Sequence, residues 1–264
     1  MKKIILILFL ILMSISTQMI RNIYAKTLKF AIDDRNWYPF TYVDNEQAKG
    51  MHVEVVIEAL KNLGYQFEIN PLPRKRCIKS SEAGVVDGVI SIAYNSDLAK
   101  IIEFPKDAAN PPLSQWKTKE SAWRIMQVDF MVITHSDAKY NFQGDIKTLP
   151  IPIRIPMGET FVSELNQANL LVEEAREDIQ NFGKLIRDKN GCVITTSIIA
   201  ENMNKNPEFS GKFIIQATPL SSQSYFLAFS RKSSLTQDEK DKIWDEIQKL
   251  RDDYVFMLVL FSQY

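Results

Sequence analysis

Strand-like and helix-like segments take turns along this chain, and few architectures accommodate that order. Thr27 to Ile32 alternates apolar and polar residues and is rich in β-formers, whereas Val53, Val56, Ile57, Leu60 and Leu63 recur at a helical spacing. Tyr65 to Ile69 then reads as a strand, Arg76 to Ala83 as a short helix stopped by Gly84, and Gly88 to Ala93 as a buried strand between turn signals. Such alternation predicts an α/β fold in which a mostly parallel sheet is flanked by helices.

The pattern breaks once and resumes. Pro105 to Thr118, rich in proline, lysine and asparagine, predicts a surface loop, and Asp129 to Thr134 returns as a strand. Ile151 to Ile155 (strand), a helix opened at Gly158, Ile179 to Arg187 (helix) and Cys192 to Ile194 (strand) make a second α/β set. Tyr225 to Ser230 is a further strand. Thr236 to Arg251 follows as an amphipathic helix with Thr236 as N-cap and Ile243, Trp244, Ile247 and Leu250 on one face. Two lobes are expected: residues 26–134 and 223–264 in the first, 135–222 in the second. No short repeat is present, which excludes solenoids and propellers.

The first 25 residues stand apart, with basic Lys2 and Lys3, an apolar run from Ile4 to Ile15 and a polar stretch to Ala25. This is the layout of a cleaved secretory signal peptide; the run of about a dozen residues is shorter than the roughly 20 of a membrane-spanning helix. Ile23 stands where a small residue is usual, so an uncleaved anchor is the alternative. Removing Lys2, Lys3 and Arg21 from the 32 basic residues leaves 29 against 32 acidic ones. A nucleic-acid partner finds no support in that balance. Cys77 and Cys192 have no metal-ligand spacing, and only His52 and His135 could assist them. No metal or cofactor is expected. Export permits a disulfide, while isolated cysteines also serve as small buried apolar groups.

Several segments fall in the order found in the bacterial extracellular solute-binding proteins of family 3, and the chain resembles them over nearly its whole length. They are Trp37-Tyr38-Pro39-Phe40 with Lys49-Gly50, Glu82 to Gly88, Ile102-Glu103-Phe104-Pro105, Met157-Gly158-Glu159-Thr160, Lys189 to Ile194, and Tyr225 to Ser233. The resemblance implies a two-lobed periplasmic binding protein of type II. It also implies a small polar solute held between the lobes, hinge closure, and delivery to the membrane permease of an ABC importer or to a sensor ectodomain. A monomer without catalytic residues is expected.

On that resemblance Trp37, with Asp34 beside it, walls the ligand, or else belongs to the core. Gly158 and Thr160 offer free N–H groups and a hydroxyl to an anion, though Thr160 also suits a plain helix cap. Arg74 and Arg76 are candidates for a carboxylate, with a solvated basic surface as the alternative. Ser91 and Tyr94 end a strand that enters the cleft. Two departures stand out: Leu98 occupies the place of the family's carboxylate-clamping arginine, and Thr195 or Thr196 that of the acid holding an amino group. Thr196 is therefore counted among the ligand contacts. A dehydratase-like enzyme on the same scaffold and a ligand-less envelope protein are the competing classes.

Overall fold

The computed structural model describes residues 27–109, 120–159 and 161–264. The expected leader, Thr160 and most of the expected loop from Pro105 lie outside them. Eleven strands are described: β1 (Leu28–Asp33), β2 (Tyr42–Asp44), β3 (Gln47–Lys49), β4 (Phe67–Leu72), β5 (Gly88–Ala93), β6 (Ile102–Glu103), β7 (Met126–His135), β8 (Ile153–Pro156), β9 (Val172–Ala175), β10 (Cys192–Thr196) and β11 (Phe213–Ser230). Between them run α1 (Met51–Asn62), α2 (Arg74–Ala83), α3 (Val162–Gln167), α4 (Asp178–Asp188), α5 (Ser197–Lys205), α6 (Gln237–Asp252) and α7 (Tyr254–Phe261).

Nine of the strands form one sheet in the order β4-β1-β5-β11-β7-β10-β8-β9, with β6 added beside β11. β1 runs parallel to β4 and β5, and β8 runs parallel to β10 and β9. These two parallel units are the sheets of two lobes. β11 and β7 lie antiparallel between them: β11 pairs β5 through Tyr225 to Phe229 and β7 from Phe213 to Tyr225, while the far half of β7 pairs β10. This is the two-lobed type II architecture, and its lobes communicate through two long strands.

Where those strands run together, polar contacts stand beside core residues such as Met126, Val128 and Leu220. Ser221, Gln223 and Ser224 of β11 are buried. Ser224 Oγ donates to Gln127 Oε1 at 2.6 Å, Gln127 Nε2 donates to Ser222 Oγ at 2.9 Å, and Ser222 Oγ donates to Asp129 Oδ1 at 2.5 Å. These polar residues hid the first twelve positions of β11, because apolar alternation resumes only near Tyr225. The helix expected to open at Gly158 begins later: Gly158 has φ +89°, outside the right-handed helical region, and α3 starts at Val162.

Elsewhere local chemistry acts as read. Thr236 caps α6 with a reciprocal Glu239 contact, and Gly84 ends α2 in the left-handed region. Gly50 is required before α1, since a Cβ there would stand 2.3 Å from Phe40 O. Cys77 and Cys192 are buried free thiols. Trp244 locks α6 onto the first lobe: it is fully buried, lies 5.2 Å from the Phe229 ring, and donates from Nε1 to Leu227 O at 2.8 Å. Replacing it by alanine removes an indole from a packed interior, so Trp244→Ala should lower the unfolding free energy by about 3–5 kcal/mol in urea titrations. A loss below about 1 kcal/mol would mean that α6 is not anchored there.

Candidate functional site

Three parallel strands of the first lobe and one of the second point their C-terminal ends at the same place, the usual ligand position of open α/β sheets. β1 delivers Asp33 and the loop carrying Arg35 and Trp37; the end of β4 leads into Arg74, the first residue of α2; β5 carries Ser91. From the second lobe, β8 runs into Gly158 and Glu159, and Tyr225 of β11 closes the floor. These residues enclose a space of about 10 Å³, enough for one water.

The lobes are joined across this space by one guanidinium. Arg35 donates from Nη1 to Met157 O, and its Nη2 lies 3.3 Å from Glu159 Oε1. Burial opposes the charge on Arg35, but Glu159 and Asp33 outweigh it and raise its pKa. Burial also pushes the Glu159 carboxyl above its ordinary range against the pull of Arg35 and Arg74. Next to it, Asp178 is raised to about 6, mainly by burial and further by Glu159, with a hydrogen bond to Thr195 opposing the shift. Among the described residues Asp178 Oδ1 has no hydrogen-bond partner.

The apolar wall is a cluster of rings. Trp37 lies 4.5 Å from Phe40, 4.9 Å from Tyr225 and 5.7 Å from His52. It is a buried core aromatic that also lines the small space. Ser91 has φ +64°, rare for a residue with a side chain, and its Oγ sits 2.7 Å from His52 Nδ1. Burial drives His52 down to about 3, so the imidazole is neutral.

Arg74 behaves differently from Arg35. It reaches within 3.9 Å of where a Gly158 Cβ would stand, yet among the described residues it makes no hydrogen bond or ion pair. Trp37, Arg74, Ser91 and Gly158 are thus brought together. Arg76 and Asp34 are exposed and do not line the space. Tyr94 packs edge-on against Phe104 at 5.3 Å. Thr196 is buried and caps α5, accepting from Ile199 N at 3.3 Å. Arg35, His52, Glu159, Asp178 and Tyr225 were not singled out from sequence. Arg35 and Glu159 were within reach, since each adjoins a predicted contact in the same strand-end loop.

Residues 28–253 match the family model of the bacterial extracellular solute-binding proteins, family 3. The chain belongs to that family. An uncharacterized protein of Shewanella oneidensis is 22% identical over 207 residues, 76% of this chain and 71% of its own length. Solved structures share the fold at low identity. The substrate-binding protein of an amino acid ABC transporter superposes with a TM-score of 0.63 at 15% identity, over 90% of this chain and 99% of that one. A histidine kinase sensor domain with similarity to periplasmic binding proteins gives 0.66 at 12% identity, over 90% and 96%. A solute-binding role follows for this family 3 protein.

Asp178 supplies a test of the electrostatics. A carboxyl whose pKa rises from 3.8 to about 6 on folding contributes stability that is full below about 3.8 and lost as pH rises through about 6. Denaturant unfolding of the wild type should therefore weaken by on the order of 1 kcal/mol more between pH 5 and pH 7.5 than that of Asp178→Asn. Equal slopes would remove Asp178 from the buried cluster.

Proposed function

We propose that this protein captures a small polar, amino-acid-like solute bearing a carboxylate between its lobes, in the periplasm, and hands it to the membrane permease of an ABC importer. The observation that carries the reading is Arg74: a half-buried guanidinium faces the cleft without a hydrogen bond or ion pair among the described residues, beside a second cation and two carboxylates. Its planar fork suits a carboxylate, which also receives the Ser91 hydroxyl and the approach over Gly158. Glu159 and Asp178 meet an amine from the second lobe, and Trp37 with Tyr225 walls the body of the ligand.

Closure is part of the proposal. About 10 Å³ holds no amino acid, so the solute enters when the lobes part and is buried when they return. We assign residues 26–134 and 223–264 to the first lobe and 135–222 to the second, with motion where β7 and β11 run together. No chemistry is needed. Among the described residues no carboxylate bonds the far nitrogen of the His52 imidazole in the Ser91–His52 pair, and its low pKa makes it a weak base. The likeness to a kinase sensor domain favours one second reading, in which the same closure signals to a sensor partner.

Thermal shifts with the twenty amino acids and a set of small carboxylates test this reading. A ligand at a hundred times its Kd adds about 2.7 kcal/mol to the folded state. Arg74→Ala should weaken the best ligand at least tenfold, about 1.4 kcal/mol, whereas Arg76→Ala should leave it within twofold. If no compound stabilises the wild type, or if Arg76→Ala is the damaging change, the reading fails.

A further inference from the structure

On the other side of the Trp37–Phe40 ring pair lies a larger pocket of about 290 Å³, close to the lower end of ordinary small-molecule sites. No residue lines both this pocket and the interlobe space. Its floor is the start of β7, from Met126 to Asp129. Ser197 and Ile198, which open α5, form the side contributed by the second lobe. Arg251 of α6 and Met257 and Phe261 of α7 form the opposite side, contributed by the first.

The chemistry of the lining is two-sided. Arg124 and Arg251 stand together at one end: Arg251 Nη1 donates to Arg124 O at 2.8 Å and to Ala122 O at 2.7 Å, and Arg124 Nη1 donates to Ser121 O at 2.7 Å. Both side chains are largely buried, at 17% and 9% exposure, whereas their carboxylate partners Glu120 and Asp252 are over half exposed, at 51% and 56%. Asp129, the acid in the lining, already accepts the Ser222 hydroxyl. Burial and the neighbouring Arg251 lower the pKa of Arg124 against the pull of Glu120 and Asp252, which pair with the two guanidiniums from the solvent side. The remainder of the wall is Phe40, Met51, Met126, Met257 and Phe261, and thioethers adapt to varied apolar shapes.

We propose that this hinge-side pocket is a second binding site, and that it takes an amphipathic organic anion of the medium-chain carboxylate class. Its head group meets Arg124 and Arg251, and its apolar body lies on the methionines and phenylalanines. The inference stands whatever solute the interlobe cleft holds.

Calorimetric titration of the full protein with octanoate, with octan-1-ol as the uncharged control, decides it. Octanoate should bind at one site, and octan-1-ol at least tenfold more weakly. Met257→Trp, which fills the pocket from α7, should abolish octanoate binding. Arg124→Gln should weaken octanoate at least threefold while leaving octan-1-ol unchanged, with folding of both variants verified by circular dichroism melting. Arg74→Ala, which alters the interlobe cleft, should leave octanoate affinity within twofold. No octanoate binding to the wild type overturns the proposal, as do equal affinities for the acid and the alcohol, binding that survives Met257→Trp, or loss of binding in Arg74→Ala.

Discussion

One guanidinium reaching from the first lobe into the second sets the geometry on which the interlobe cleft depends. Arg35 gives one nitrogen to the Met157 carbonyl and another to Glu159, and these partners sit at the end of β8 while Arg35 follows β1. Neither charge is tolerable alone in so dry a place, because removing one partner of a buried pair leaves the other without compensation. Burial already pushes Glu159 toward its neutral form.

The sheet passes between the lobes on two strands. Each lobe is rigid where parallel strands are covered by helices: β5 is buried along its whole length, and α6 is anchored through Trp244. Between them β7 and β11 carry the sheet across, and there the side chains of Gln127, Asp129, Ser222 and Ser224 bond to one another while Met126, Val128, Phe130, Leu220 and Tyr225 join the apolar core.

Much of this was legible in the sequence, and the rest was not for physical reasons. The period of α1, the Gly84 stop, the Thr236 cap and the buried run of β5 are local signals that tertiary structure had no cause to override. β11 was read short because its polar residues find partners on β7, which no local pattern reveals. The Arg35–Glu159 contact joins residues 124 apart and depends on how the two lobes meet. The departures at Leu98 and at Thr195 or Thr196 were visible, but the placing of Arg74 and Asp178 near Glu159 was not. Arg74 rather than Arg76 faces the space because it is the first residue of α2, directly after the strand end. Thr195 accordingly binds Asp178, placing an acid from α4 beside Glu159.

The separation of the lobes is the quantity closest to the central claim. Spin labels introduced at the exposed positions Lys79 of α2 and Lys205 of α5 report it by pulsed dipolar spectroscopy, the native thiols being buried. Arg35→Ala should broaden the distance distribution and move it to longer separations relative to the wild type, and Glu159→Gln should do so to a lesser degree. An unchanged distribution in Arg35→Ala would show that the lobes are held by something other than this contact.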